Sequence, residues 1–263
     1  MISQKRYERL GWQSADQVGV DISVEGLQTT LEDAPKWIDD RVWNKSNRVA
    51  DRSRVAILYF ALEDYSSVKA YAVEVVPAAD EFFFGSWRSK VYKSEEGKRV
   101  DADCLRRQFD WMESFEAALL WSSVLGEWEF LKKLGTFPKP DSQADSGCGY
   151  GRQFRDLYLA LGAFLSEAPE ADLQILLDRA AAGPKTLCKL AVSLIRAGIT
   201  RDAVTFQKEL IELLKYYKKN EFPKDDVTKT ISFEGTFFVH WAEKVKIPLT
   251  VPPEFDDHIV RLK

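Results

Sequence analysis

Apolar side chains recur at three- and four-residue steps along most of the chain, which is the period of amphipathic α-helices. The clearest pattern begins at Asp101 or Asp103 and continues to Leu134. Its apolar positions include Phe115 and Trp121, with acidic residues between them. The spacing predicts one helix across the whole stretch, the longest in the protein.

Two further helical stretches precede it. Residues 51–63 carry an apolar run behind Asp51, which is a candidate N-cap. A second stretch starts at Ser66, and Pro77 is expected to kink it. Residues 24–43 also show helical spacing and predict a shorter helix or a helical pair.

The second half of the chain has the most regular punctuation. Pro169 and Pro184 suit the first turns of helices, and Gly183 and Gly198 suit the ends of the preceding helices. The apolar period agrees with these positions. The pattern predicts five helices, at about residues 153–166, 169–182, 184–197, 200–219 and 233–246.

One segment has the composition of a linker. Residues 135–151 concentrate Gly, Pro, Ser and Asp, which favour turns and loops over regular structure. The sequence therefore predicts an N-terminal helical half over residues 1–134 and a C-terminal helical-hairpin half over residues 152–263.

The C-terminal half contains a faint internal repeat. Residues 159–177 resemble residues 190–208, and each segment has a helix, a small-residue turn and a second helix. No continuous alternation of β-branched residues occurs. The expected fold is all-α, a multi-helix bundle of stacked antiparallel helical hairpins that forms a single compact domain or two tightly packed helical halves.

Charge and hydropathy narrow the classes of partner. Among 263 residues, 37 Lys and Arg face 41 Asp and Glu, a formal net charge of −4. This balance argues against direct binding of nucleic acid, which requires a basic surface. The sequence shows neither a secretory signal nor an apolar run long enough to span a membrane, so we expect a cytoplasmic protein with no membrane partner. Its oligomeric state is left open.

Residues suited to catalysis or metal binding are sparse. The cysteines, Cys104, Cys148 and Cys188, are far apart and form no paired motif, which indicates reduced thiols. His240 and His258 lack the preceding Glu of a diiron site, and no nucleotide-binding glycine motif occurs. We therefore expect no catalytic residues, metal or cofactor, and no enzyme activity. His240 is interpreted as a helix residue packed beside its neighbour, with a catalytic base as the alternative.

Acidic residues are the main candidates for binding. Asp110, Glu113 and Glu116 form a stripe at three-residue steps on the long predicted helix. Such a stripe is usually a solvated face, and the alternative is a surface complementary to a basic partner. Asp225 and Asp226 lie in a polar insertion before the last large helix.

Two charged clusters near the C-terminus have structural interpretations. Asp256 and Asp257, close to Glu254, are expected to cap a short final helix, with a metal-binding cluster as the alternative. Residues 215–220, KYYKKN, combine lysines with aromatic side chains, as some single-strand binders do. Lysines at the carboxyl end of a helix interact favourably with its dipole, so a helix end is the preferred interpretation.

The C-terminal residues carry a likeness to a known group of proteins. LCKLAVSLIRAGITRDAVTFQKELIELLKYYKK begins at residue 187, and ISFEGTFFVHWAEKVKIPLTVPPEFDDHIVRLK begins at residue 231. Together they resemble the C-terminal part of bacterial all-helical immunity proteins, the polymorphic-toxin immunity families that include the one numbered forty-nine. The shared features are a helical hairpin, a polar insertion, a helix from SFEGTFF to AEKVKIPL and a terminal Asp-containing turn.

The resemblance implies that the protein neutralises a cognate toxin by covering its active site. The toxin would be one delivered by a type VI or other contact-dependent system, with a nuclease effector as the candidate. On this interpretation Asp110, Glu113, Glu116, Asp225 and Asp226 contact the toxin, because an acidic surface suits a basic partner. The alternatives are a helical-repeat scaffold for protein interactions and a metal-dependent helical enzyme.

Overall fold

The fold is all-α, as the sequence predicts. The computed structural model describes residues 45–85, 92–93, 99–100, 111–137, 152–221 and 230–262. The helices are α1 (Lys45–Ala61), α2 (Tyr65–Phe84), α3 (Trp111–Leu125), α4 (Trp128–Gly135), α5 (Arg152–Leu165), α6 (Glu170–Ala182), α7 (Thr186–Thr200), α8 (Ala203–Tyr216) and α9 (Phe233–Val245). A π-helical turn (Tyr217–Glu221) extends α8, and a 3₁₀ helix (Pro253–His258) follows α9. Strands β1 (Tyr92–Lys93) and β2 (Arg99–Val100) form a short antiparallel ladder in which Tyr92 pairs with Val100.

The first hairpin joins α1 to α2. Asp64 is the N-cap of α2 and accepts hydrogen bonds from the amide and the hydroxyl of Ser67, at 3.1 and 2.7 Å. These bonds favour the carboxylate and lower the pKa of Asp64. The predicted N-cap, Asp51, is wrong: α1 begins at Lys45, so Asp51 lies inside it.

Four helices end at a residue with positive φ that is not glycine: Glu63, Glu167, Arg201 and Lys246. At the end of α7, the Arg201 amide donates to Gly198 O at 3.1 Å and the Asp202 amide donates to Ala197 O at 2.9 Å. These paired bonds satisfy carbonyls that the last helical turn leaves without a partner. Asp202 then caps α8 through Thr205, as Asp64 caps α2.

Helix α3 is at the centre of the protein. Eleven of its fifteen residues are buried, and it packs against α1, α2, α4, α5 and α9. The fully buried Trp121 donates its indole N–H to Ser53 Oγ on α1 at 2.8 Å. The bond satisfies a polar group that would be costly to bury alone.

The single long helix predicted up to Leu134 is wrong, because the chain breaks between α3 and α4. Gly126 has a φ of 75°, a conformation that side chains disfavour and glycine adopts readily. The amide of Glu127 donates to Ser122 O at 2.8 Å and closes the end of α3. This turn lets α4 leave the axis of α3 and pack against α5.

Pro77 and Gly198 both lie inside helices. Pro77 lies within α2, on an exposed position, and the helix continues on both sides of it. Gly198 is inside α7 and not at its end, so that expectation is wrong. A Cβ atom at Gly198 would lie 2.5 Å from the Trp241 ring, so this glycine allows α9 to approach α7 closely.

The final segment packs along α9 in place of the expected terminal helix. Asp256 and Asp257 lie inside the 3₁₀ helix and do not cap a helix over 256–263. Ile259 is extended, and it and Val260 are buried in the core. The Val260 amide donates to Thr236 Oγ1 at 3.4 Å, and Val260 O lies 2.7 Å from His240 Nε2, so side chains of α9 hold this segment.

The described helices on either side of residues 138–151 share one hydrophobic core. Helix α9 packs on α3, and α5 packs on α4. The expected linker over 135–151 lies mostly outside the described residues. Gly135 ends α4 and Phe137 is buried, so the first residues of that segment belong to the core.

Replacing Arg201 with glycine should stabilise the protein. Glycine removes the steric strain of positive φ, and no described residue contacts the Arg201 side chain through a hydrogen bond or ion pair. We expect Arg201→Gly to raise the free energy of unfolding by roughly 0.5 to 1 kcal/mol. Arg201→Ala is the control and should change it little, since alanine keeps the strain. Urea denaturation measures both, and equal stabilisation by the two variants would contradict the explanation.

Candidate partner-binding groove

A groove opens to solvent where α5 begins and α6 turns into α7. Its volume is about 520 Å³. It is bounded by the first turn of α5, the carboxyl end of α6 and the loop that follows: Gln153, Phe154, Asp156, Arg179, Ala182, Gly183, Pro184 and Lys185. The groove therefore combines an apolar lining with three charged side chains.

Gln153 holds the walls of the groove together. Its side-chain amide donates to Ala180 O at 2.8 Å, and its oxygen accepts from the Lys185 amide at 2.7 Å. The side chain thus joins α5 to both ends of the α6–α7 connection. A Cβ atom at Gly183 would lie 2.2 Å from Gln153 Oε1, so the loop can approach this closely only with glycine there.

An ion pair forms one side of the groove. Arg179 Nη2 on α6 lies 2.5 Å from Asp156 Oδ1 on α5. The Asp156 side chain is only 7% exposed, whereas that of Arg179 is 45% exposed. The carboxylate therefore holds one terminal nitrogen of the guanidinium, and the other N–H donors have no partner among the described residues.

Lys185 supplies a second positive charge at the rim. It is exposed, and its ammonium group has no hydrogen-bond or ion-pair partner among the residues that the structure describes. Together with the Arg179–Asp156 pair, Lys185 gives the lining a formal charge of +1. The groove is thus positive although the chain as a whole has a charge of −4.

Sequence reasoning did not find this groove. Gly183 ends α6, as predicted. Pro184 lies before Lys185, the N-cap of α7, so its predicted place in the first turn of that helix is wrong. The groove, however, needs Asp156 and Arg179 to meet across a helical hairpin, which the apolar period does not specify. A weak signal was available, since Gln153 and Asp156 are polar residues on the inner side of an amphipathic pattern.

The structure describes two of the five acidic residues proposed as toxin contacts, Glu113 and Glu116. Asp110, Asp225 and Asp226 lie outside the described residues. Glu113 is 40% exposed, and one of its oxygens lies 2.6 Å from Arg54 Nη2. Glu116 is half-buried and accepts a hydrogen bond from the Tyr158 hydroxyl at 2.9 Å. Both described residues lie on the central helix and have partners within the protein.

The two histidines hold the C-terminal segment against α9. His240 Nε2 lies 2.7 Å from Val260 O, and His258 Nδ1 lies 2.9 Å from Thr230 O. His240 also contacts Glu243, which lies one turn further along α9. Both rings therefore make structural hydrogen bonds to backbone carbonyl groups.

The remaining candidates for chemistry lie apart from the groove. Across the described ranges, no three His, Cys, Asp or Glu side chains are close enough to hold a metal ion. Asp256 pairs with Arg261 at 3.2 Å. Cys188 is buried in α7. Lys218, in the KYYKKN segment, donates to Glu254 O at 3.0 Å, and this segment covers the carboxyl end of α8 and the π-helical turn.

Removing the Gln153 side chain should destabilise the protein. Gln153→Ala leaves the Lys185 amide and the Ala180 carbonyl without the partner that the side chain provides, and we expect a loss of about 1 to 3 kcal/mol in the free energy of unfolding. Gln174→Ala is the matched control, since its amide bonds to Asp178 on the exposed face of α6. Thermal and urea unfolding compare the two. A loss no larger than that of the control would show that Gln153 does not hold the groove together.

Comparison with known proteins adds no relative. No family model, curated protein or solved structure matches the chain. In the ranges that the structure describes, none of the helices is both long and apolar enough to cross a membrane.

Proposed function

We propose that the protein is an immunity-type binding protein that neutralises a cognate toxin by covering its active site. The observation that carries a binding function is the groove between α5, α6 and α7, because its walls are fixed before any partner arrives. Gln153 joins α5 to the α6–α7 connection, and the Arg179–Asp156 pair joins α5 to α6. A preformed surface binds with less loss of conformational entropy than a flexible one.

The specific role as an immunity protein rests on the resemblance of residues 187–263. Within that stretch, α7 and α8 form the helical hairpin, and α9 starts at Phe233 after its Ser232 cap. The 3₁₀ helix at Pro253–His258 is the Asp-containing turn. These elements agree with the order of features in the resemblance, and the tight packing of α9 on α3 provides a rigid body that can present a surface.

A helical scaffold for several partners is the second candidate. The internal repeat supports it, since residues 159–177 cover the connection between α5 and α6 and residues 190–208 cover that between α7 and α8. Consecutive hairpins pack together through α6 and α7. A scaffold of this kind binds helices or peptides reversibly, whereas an immunity protein binds one toxin at about nanomolar affinity or tighter.

The two functions give different results in a co-purification experiment. The full chain is used as bait in a bacterial lysate that expresses the neighbouring reading frames, and each recovered protein is then tested for toxicity with and without the chain. The immunity function predicts recovery of one protein whose toxicity the chain suppresses. Several partners without suppression would favour the scaffold, and suppression by the chain without a complex would contradict active-site covering.

Charge at Glu113 tests the acidic surface proposed for toxin binding. If Glu113 faces a basic toxin, Glu113→Lys should slow association by roughly three- to tenfold and weaken its dependence on salt, because complementary charge mainly accelerates encounter. Glu129→Lys, at an exposed position on α4, is the matched control. Stopped-flow association with the recovered toxin measures both variants. Unchanged association kinetics for Glu113→Lys would show that this surface lies outside the interface.

A further inference from the structure

The charge of the groove indicates which kind of protein segment it would bind. We propose that the α5–α7 groove binds a protein segment in which acidic side chains flank apolar ones. The inference relies on the proposed function only in taking the partner to be a protein. It differs from the acidic surface near Glu113, which would contact basic groups.

The positive groups of the groove are placed for a carboxylate. Arg179 is held by Asp156 at one terminal nitrogen, at 2.5 Å, and is 45% exposed. A guanidinium has five N–H donors, so it can hold Asp156 and still donate to a second carboxylate. Lys185 lies at the rim of the groove, in the α6–α7 connection, and is exposed. An incoming acidic segment therefore meets a lining with two cations, whose one acidic residue, Asp156, is buried and already paired.

The lining between the charges is apolar. Phe154, Ala182 and Pro184 form it, with the backbone of Gly183. Apolar side chains of a bound segment can be removed from water here while neighbouring carboxylates reach the rim. A purely ionic ligand would leave this surface uncovered.

The shape of the groove favours a chain segment over a small molecule. Small ligands bind in sites that enclose most of their surface. This groove of about 520 Å³ is open to solvent. A peptide can fill such a groove with a few side chains while the rest of its chain continues outside it.

The direct test uses synthetic peptides and the full chain. The probe is a fluorescently labelled peptide with Glu residues flanking a Leu-Phe pair, and the matched peptides carry Gln or Lys in place of every Glu. We expect fluorescence anisotropy to show binding of the Glu peptide that weakens as salt rises, with much weaker binding of the Gln and Lys peptides. Equal binding of all three, preference for Lys, or no binding would overturn the proposal.

Two pairs of variants locate the binding. Lys185→Glu should weaken the affinity for the Glu peptide by roughly three- to tenfold. Lys189→Glu is the control, since Lys189 is exposed on α7 outside the groove, and it should leave the affinity unchanged. Ala182→Trp should block the groove. Ala171→Trp is its control, since Ala171 is exposed three turns earlier on the same face of α6. Unfolding curves confirm that each variant is folded, and equal effects within either pair would overturn the assignment.

Competition separates a protein segment from a free anion. Glutarate and inorganic phosphate, each in large excess, should displace the peptide no more than sodium chloride of the same ionic strength. Displacement beyond that level would assign the groove to small anions and overturn the proposal. If a toxin is recovered equally well by wild type, Lys185→Glu and Ala182→Trp, the groove proposal fails while the immunity function stands.

Discussion

Burial of α3 on nearly every side constrains the rest of the structure. A helix with eleven buried residues of fifteen cannot be covered by one neighbour, so elements from both ends of the described chain pack around it. The α1–α2 hairpin covers one part and α9 covers another. Large side chains such as Phe115 and Trp121 remove much apolar surface from water in this arrangement, which is the main source of stability in a helical protein. The positions of the hairpins follow from the need to enclose α3.

Helices were predictable where punctuation and period agree. Pro169 and Gly183 mark helix boundaries by local chemistry, and the C-terminal helices lie within a few residues of their predicted positions. The break at Gly126 was missed because an isolated glycine in an apolar pattern is compatible with a continuous helix; only packing of α4 on α5 selects the turn. Glu116 shows the same limit, since its hydrogen bond to Tyr158 depends on a helix distant in sequence. The hydrophobic period assigns a residue to one face of a helix, but tertiary packing determines which element that face contacts.

The groove illustrates how a protein of one overall charge sign can present a site of the other. Net charge describes the long-range field, which salt screens within about 10 Å at 0.1 M. At contact distance, the few charged groups within the site determine the electrostatic interaction with a ligand. The buried Asp156 binds one terminal nitrogen of the half-exposed Arg179, and Lys185 adds a second cation, so an acidic chain carries a local cationic site. The same carboxylate makes Arg179 a poor position to mutate, because its removal would leave a buried charge unpaired.

The covering of α3 by α9 also sets an order of events during synthesis. Helices α1, α2 and α3 leave the ribosome well before α9 and the segment that carries Ile259 and Val260. Until those residues emerge, one side of the most apolar helix has no cover from its final neighbour, and exposed apolar surface promotes aggregation. The nascent chain therefore passes through a stage at which a chaperone that recognises apolar helices has a binding surface that the finished protein lacks.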